Sequence, residues 1–167
     1  MPARALTALL LLALPSQSSP QATARVVVQY RVSSEDDTSN SGKVTIALKA
    51  GQTGRARIWE TSCHLTAVTD DTATPADAEQ VWGMSAELTR DRDNRPAVRL
   101  TTSHVAPNGV VHDETHVLAL DDARPLALSE LSARTDCRYD RIHLTIAAES
   151  VRAGPGSRTR APRARPL

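Results

Sequence analysis

The sequence predicts an all-β protein, a two-sheet antiparallel β-sandwich of about seven or eight short strands, with a closed β-barrel as the alternative. Two observations support this prediction. Apolar and polar residues alternate along most of the chain, as expected for strands with one buried face. Turn-forming residues interrupt the alternation about every 8 to 14 residues, which favours antiparallel strands over parallel βαβ units.

The first two predicted strands show the clearest alternation. Apolar residues occupy every second position from Val26 to Tyr30, and the polar segment 33–42 (SSEDDTSNSG) follows as a loop. Residues 43–49 alternate in the same way, and this run is broken at 51–54 (GQTG). These segments therefore predict two strands joined by a polar loop.

The next stretch, residues 55–68, is longer and β-like throughout. If it forms one continuous strand, Cys63 points inward on the same face as Trp59, because side chains of equal parity share a face. Residues 70–77 (DDTATPAD) then predict a connection, in which a short helix could begin at Pro75.

A hairpin is the strongest local prediction in the second half of the chain. Residues 81–89 and 97–105 alternate as strands and are separated by a turn at 91–96 (DRDNRP). The dipeptide Asn108-Gly109 tolerates the positive φ angles of a type I′ turn. We therefore expect a two-residue turn that joins 97–105 to a strand at 110–120.

The last predicted strand covers residues 142–148, where isoleucine, leucine and alanine alternate with polar residues. It is preceded by a turn at 121–125 (DDARP) and by a weaker segment at 126–131.

The N-terminus has the three-part pattern of a secretory signal peptide. Arg4 precedes the apolar run 5–14, and the small-residue motif Ala-Thr-Ala ends at residue 24, so the mature chain is expected to begin near Arg25. The apolar run of about 10 residues is too short for a membrane-spanning helix, which needs roughly 20. A lipid anchor is not indicated, because the first cysteine is Cys63. The sequence therefore predicts a secreted or periplasmic protein.

The remaining chain fits one domain, residues 25–151, followed by a tail, residues 152–167. Removing 24 of the 167 residues leaves 143, which suffices for one domain with a core. The tail (RAGPGSRTRAPRARPL) is rich in arginine and proline and is predicted to be disordered. Its arginines could attract anionic lipid headgroups, cell-wall polymers or the protein's own acidic domain, or the tail could be a solvated segment without a role.

Charge and composition bear on the class of partner. Of the 20 basic residues, Arg4 belongs to the signal peptide and five to the tail, so the domain has 14 against all 19 acidic residues. An acidic domain with no phenylalanine and only two tryptophans and two tyrosines lacks the basic face and the stacking platforms of nucleic-acid binders. Only Lys43 and Lys49 are lysines, and this preference for arginine hints at a GC-rich bacterial genome.

The two cysteines are predicted to form a disulfide, since pairing is favoured in an oxidising compartment. Cys63 and Cys137 would close a loop of about 75 residues, and loop entropy gives roughly 4 kcal/mol of stabilisation. The alternatives are two buried thiols or a reactive or metal-binding pair. No C-x-x-C motif is present, so neither a thioredoxin-type centre nor a zinc knuckle is indicated.

The segment His112-Asp113-Glu114-Thr115-His116 is the one candidate for metal binding or catalysis. It departs from the H-E-x-x-H zinc motif, and its flanks predict a strand, on which His112, Glu114 and His116 share a face but the two imidazoles lie about 13 Å apart. One zinc ion could not bind both. These polar residues are therefore expected on the solvent-facing side of the strand near the hairpin tip, and a surface metal site and a catalytic site are the alternatives. With a two-residue turn, His104 is expected opposite Asp113 and outside this group.

Other motifs identify no catalytic residue. The loop Asp91-Arg92-Asp93-Asn94 has Pro96 where a calcium-binding EF-hand loop needs glycine. His64 and His143 stand alone in strands and are expected to face solvent. The chain has no G-x-S-x-G elbow and no phosphate-binding P-loop. We expect no cofactor.

The layout of the domain resembles the β-domains of bacterial periplasmic proteins, including segments of outer-membrane secretins. The resemblance rests on the exported first strand, the Lys-Val-Thr-Ile strand (43–46) that ends at Gly51-Gln52-Thr53, and the turn at 121–126 before the last strand. It implies a binding or assembly module and transfers no catalytic residue.

The sequence therefore favours an exported, non-catalytic β-domain that binds a protein or an anionic polymer of the cell envelope, for example through an exposed sheet edge. The alternative is an exported metal-dependent or hydrolytic enzyme centred on His112, Glu114 and His116.

Overall fold

The structure, a computed structural model, describes residues 23–33, 40–69, 77–132 and 136–151. These residues form nine strands: β1 (Ala24–Val32), β2 (Ser41–Leu48), β3 (Thr53–Thr61), β4 (His64–Thr69), β5 (Glu79–Arg90), β6 (Pro96–Val105), β7 (Val111–Ala119), β8 (Leu126–Leu131) and β9 (Arg141–Ser150). The all-β prediction is confirmed, with one or two strands more than expected.

The strands form two antiparallel sheets. The four-stranded sheet has the order β2-β1-β9-β8, and the five-stranded sheet has the order β4-β3-β5-β6-β7. The sandwich is confirmed, and the alternative of a closed barrel is wrong, because each sheet ends in two edge strands. The first and last strands pair in full register, from Ala24 opposite Ser150 to Val32 opposite Ile142.

The core lies between the two sheets and is built from the inward positions of the alternating strands. Most of its members are aliphatic, and Trp82 and Tyr139 are its only buried aromatic residues within the described ranges. The largest aliphatic side chains with almost no exposure are Ile46, Leu48, Ile58, Leu100, Ile142, Leu144 and Ile146. Alternation therefore placed the buried face of these strands correctly.

The expectation of one continuous strand over 55–68 is wrong. β3 and β4 are two antiparallel strands joined at Ser62 and Cys63, whose φ angles are +46° and +64°. Two consecutive positive φ angles are typical of a type I′ turn. Cys63 therefore lies in the turn, at the end of the sandwich, and Trp59 faces away from the core and is half-buried.

The hairpin between β6 and β7 is confirmed, but its predicted turn type is wrong. Gly109 has a φ of +78°, whereas Asn108 is not among the residues with positive φ. The Gly109 amide donates to the Ala106 carbonyl, and the Ala106 amide donates to the Val110 carbonyl. Proline prefers the first central position of a type I turn, so Pro107 and Asn108 form the turn and Gly109 follows as a bulge.

This longer loop changes the register by one residue. His104 lies opposite His112, and Asp113 lies opposite Ser103. The expectation that His104 faces Asp113 is therefore wrong, and the reason is that proline fixed the turn one residue earlier than Asn-Gly would have placed it.

The predicted connections at 91–96 and 121–125 join β5 to β6 and β7 to β8. The weak segment 126–131 is a full strand that pairs with β9. The proposed helix start at Pro75, residues 1–22 of the predicted signal peptide (1–24) and the predicted tail (152–167) lie outside the described residues. In the described part of the chain, no helix is long and apolar enough to span a membrane.

Candidate functional site

The disulfide is present and joins the two sheets at one end of the sandwich. Cys63 lies in the β3–β4 turn and Cys137 in the segment before β9, with their Cα atoms 5.5 Å apart. They are separated by 74 positions in sequence. The pairing predicted from compartment and cysteine count is therefore confirmed, and neither cysteine offers a thiol for catalysis or metal binding.

A buried carboxylate lies directly behind this disulfide. Glu60 is fully buried, and its Oε1 accepts a hydrogen bond from the Tyr139 hydroxyl at 2.5 Å. The same oxygen is 3.3 Å from the Cys137 sulfur. A cavity of about 400 Å³ opens beside Tyr139, Leu131 and Pro107. Sequence analysis missed Glu60, because a single acidic residue in a strand gives no sign of its burial.

His104 is the second buried polar group near this end. Its ring lies 5.0 Å from the ring of Trp82, its cross-strand neighbour. His104 Nε2 is 3.3 Å from the Leu131 carbonyl oxygen, and because a carbonyl only accepts, this nitrogen holds the proton. Burial lowers the pKa of His104, although the Leu131 carbonyl and the Glu130 carboxylate oppose the shift. His104 is therefore held in its neutral form.

The residues singled out in sequence lie on β7, an edge strand of the five-stranded sheet. His112, Glu114 and His116 share the face that continues the core face of β6, but no residue of β7 is buried. Glu114 Oε2 and His116 Nε2 are 3.3 Å apart, so the structure brings these two together. His112 instead lies beside His104 across the strands.

Metal-ligating side chains converge at one place in the described residues, and this place is not β7. Cys63, Cys137 and Asp136 are close enough to share an ion, but both sulfurs belong to the disulfide. The group of His112, Glu114 and His116 does not converge in this way.

The remaining sequence candidates have structural roles. Asp91 Oδ1 accepts hydrogen bonds from the backbone amides of Asp93 and Arg95, and the first of these closes an Asx turn. The amide of Arg95 is the main cause of the lowered pKa of Asp91. His64 is exposed and His143 is half-buried on an outer sheet face.

A feature not predicted from sequence is the cationic outer face of the four-stranded sheet. Side chains alternate along β1, β2 and β9, and the outward positions include Arg25, Arg31, Lys43 and Arg141. Among the described residues of this sheet, the only carboxylate at an outward strand position is Glu149, which forms an ion pair with Arg25 at 2.7 Å.

The charge is concentrated at one end of this face. Arg31 lies directly opposite His143 on β9, and Lys43 lies diagonally across from Arg31 on β2. Within the described ranges, neither Arg31 nor Lys43 forms an ion pair. A groove of about 540 Å³ runs between them, and Gln29 and Thr145 add hydrogen-bonding groups to its lining.

Among the described carboxylates, Asp140 lies near the groove residue His143. Asp140 Oδ1 accepts a hydrogen bond from the Ser33 hydroxyl at 2.7 Å. This bond is the largest cause of the lowered pKa of Asp140, and the charges of Arg141 and His143 lower it further. Asp140 neutralises part of the local charge, but it is not among the residues that line the groove.

The net charge of the domain does not reveal the cationic face. Acidic residues outnumber basic ones in the domain, yet many of them lie in connections, such as Asp91 and Asp93 before β6 and Asp121 and Asp122 after β7. The outward positions of β1, β2 and β9 gave a sequence indication, but only the strand order shows that they are neighbours.

Comparisons of this chain with protein-family models, with curated proteins and with solved structures find no match.

Proposed function

We propose that this protein is an exported, non-catalytic binding module that holds an anionic polysaccharide of the cell envelope against the outer face of its four-stranded sheet. The observation behind this proposal is the segregation of charge in an acidic domain. Arg31 and Lys43 flank a groove of about 540 Å³, and no carboxylate is among the described residues that line it.

The chemistry of the groove fits a charged carbohydrate. Guanidinium and ammonium groups bind carboxylate, sulfate or phosphate substituents. Gln29, Thr145 and His143 lie at the same groove and can exchange hydrogen bonds with sugar hydroxyls. A sheet face also presents its side chains in rows, which suits an extended polymer with repeated charges.

Two other polyanions fit this surface less well. Nucleic acids bind through stacking on aromatic rings as well as through charge, and Tyr30 is the only aromatic residue at the groove. An anionic membrane favours basic surfaces combined with apolar or aromatic residues that insert into the headgroup region. The outward valine at the centre of β1, Val27, is only 5% exposed and offers no such anchor.

The non-catalytic part of the proposal rests on the groove's composition. Among the described residues, its lining has no carboxylate and no cysteine, and its histidine, His143, forms no hydrogen bond or ion pair with a described residue that would activate it as a general base. The export part rests on the N-terminal pattern of Arg4, the apolar run 5–14 and the Ala-Thr-Ala motif.

The test is binding to dextran sulfate and to neutral dextran, which share a backbone and differ in charge. We expect binding to dextran sulfate alone, with an affinity that falls as salt rises. The double variant Arg31→Gln/Lys43→Gln should bind about tenfold more weakly, equivalent to a loss of about 1.4 kcal/mol.

A matched control removes two positive charges from the opposite surface. Arg55 and Arg57 are exposed on the outer face of the five-stranded sheet, so Arg55→Gln/Arg57→Gln changes net charge equally. It should retain most of the affinity. Equal losses in the two double variants, or equal binding to neutral dextran, would refute the proposed site. Tighter binding to a single-stranded oligonucleotide of equal charge would refute the polysaccharide assignment.

A further inference from the structure

We propose that two copies of this chain pair through β7, antiparallel about a two-fold axis at Thr115, so that their five-stranded sheets become one continuous sheet. β7 ends the strand order of its sheet and has nine residues, all of them exposed or half-buried. Val111 and Val117 are each 55% exposed. This inference does not depend on the polysaccharide proposal, which concerns the other sheet.

β7 has little of the usual protection of an edge strand: it carries the charged residues Asp113 and Glu114, but it is neither short nor bulged. Edge strands are commonly shortened, bulged or provided with lysine or proline, which discourages pairing with another chain. The edge strands β4 and β8 have six residues each, and β2 carries Lys43. β7 has no lysine or proline, and its register with β6 is unbroken from Val111 to Ala119.

The backbone of β7 determines which groups point outward. The Ala106 amide donates to the Val110 carbonyl, which identifies a hydrogen-bonded pair in the β6–β7 ladder. Such pairs alternate in antiparallel strands, so His112, Glu114 and the other even residues bond to β6. The amides and carbonyls of the odd residues, including Thr115 at the centre, therefore point away from the sheet.

A two-fold pairing at Thr115 uses these outward groups fully. The residue numbers of each opposing pair then add up to 230, twice the number of the residue on the axis. Thr115 therefore faces Thr115, Asp113 faces Val117 and Val111 faces Ala119 of the second copy. All are odd residues, so their outward amides and carbonyls can bond in pairs. This is the register in which all nine residues of β7 have a partner.

The side chains of Glu114 and His116 complement each other in the same register. With the axis at Thr115, each Glu114 lies opposite His116 of the second copy, twice in the dimer. These are non-hydrogen-bonded pairs, in which the Cα atoms are about 4.5 Å apart and the side chains are closest. An axis at Glu114 would place two carboxylates opposite each other, and an axis at His116 would place two imidazoles opposite each other.

The side chains concerned are already within reach of one another. Glu114 Oε2 and His116 Nε2 lie 3.3 Å apart within one strand, on the same face. In the dimer, Glu114 contacts His116 of the second copy in place of His116 of its own strand. No side chain has to change faces of the sheet.

The first test is the mass of the purified protein in solution, by analytical ultracentrifugation over a concentration series. We expect a monomer–dimer equilibrium. Thr115→Pro removes an outward amide without removing a bond to β6, so it should weaken the dimer at least about tenfold while the fold is retained by circular dichroism. A wild-type protein that is monomeric at about 100 μM would refute the pairing.

A matched proline variant tests whether the effect belongs to β7. The Ser132 amide donates to the Asp140 carbonyl, so the odd residues of β8 point their amides outward by the same alternation. Ser129 is exposed on that edge, and Ser129→Pro should leave the dimer unchanged. Equal weakening by Thr115→Pro and Ser129→Pro would contradict the proposal.

Charge reversal tests the register and does not depend on tolerance of proline. His116→Glu places glutamates opposite each other in both pairs and should weaken the dimer about tenfold. Adding Glu114→His to this variant exchanges the two partners and should restore the wild-type dissociation constant. If the double variant stays as weak as His116→Glu, the axis is not at Thr115.

Discussion

The disulfide gives the sharpest quantitative prediction. Cys63 and Cys137 are separated by 74 positions and link the β3–β4 turn of one sheet to the segment that enters β9 of the other. For a closed loop of this size, the loss of unfolded-state entropy is about 15 cal/mol/K, or about 4.5 kcal/mol at 25 °C. We expect Cys63→Ala/Cys137→Ala to lower the free energy of unfolding by about this amount.

The structure supports a stabilisation by the disulfide as large as the loop-entropy value of about 4.5 kcal/mol. The pair closes a loop that includes four of the five strands of one sheet and β8 of the other, and its Cα separation of 5.5 Å lies within the usual range for disulfides. The core also lacks phenylalanine, so it has few large rings to compensate for the lost link. Urea denaturation measures the effect, and with an m-value of about 2 kcal/mol/M the midpoint should fall by about 2 M.

Reduction provides the control for this prediction. The wild-type protein in reductant should unfold at the same urea concentration as the double alanine variant, and reductant should not affect that variant. A difference below about 1 kcal/mol between oxidised and reduced wild type would refute the argument from loop entropy. It would mean that the unfolded chain is already compact without the link.

Three further predictions concern single side chains. Tyr139→Phe should cost about 1.5 to 3 kcal/mol in urea unfolding, since it removes the hydroxyl that donates to the buried Glu60 carboxylate, and a cost below about 0.5 kcal/mol would contradict this role. The pKa of His104 is lower in the folded than in the unfolded state, so His104 is protonated first in the unfolded state as the pH falls. The free energy of unfolding should therefore decline as the pH falls below the ordinary histidine pKa. The decline should end once the pH is below the folded-state pKa of His104. His104→Gln should flatten the decline, and an unchanged pH profile would exclude His104 as its source. Gly109→Ala should cost about 1 kcal/mol, because φ is +78° at this position. The new methyl group meets no atom within 4 Å, so the cost comes from the backbone angle alone. If thermal denaturation shows no loss of stability, the loop relaxes to accommodate alanine.

Local pattern was sufficient for most strands and insufficient at two turns. Period-two alternation reports directly on a strand with one buried face, which is why 43–49 and 142–148 matched β2 and β9 closely. At Ser62-Cys63, two residues without typical turn chemistry adopt positive φ, and alternation continues across them. At Asn108-Gly109, Pro107 determined the turn type and shifted the register.

Among the candidate site residues, too, local pattern predicted some features and not others. The cysteine pair could be predicted, because a chain with two cysteines has one possible intrachain disulfide. His112, Glu114 and His116 were correctly placed on one face of a strand, but the position of His104 beside them depended on the loop. The burial of Glu60 could not be predicted, since it results from how the chain segment before β9 covers the end of β3.

The sequence by itself determined the class of fold, the alternating faces of the strands and the disulfide, because each follows from residue types at fixed local spacing. Only the tertiary structure decided the order of strands in each sheet. β1 lies between β2, its neighbour in sequence, and β9 from the other end of the chain. This order gathers Arg31, Lys43 and His143 on one face and leaves β7 at an edge. Both proposed interactions depend on it, because contacts between strands distant in sequence are set by the packing of the whole core.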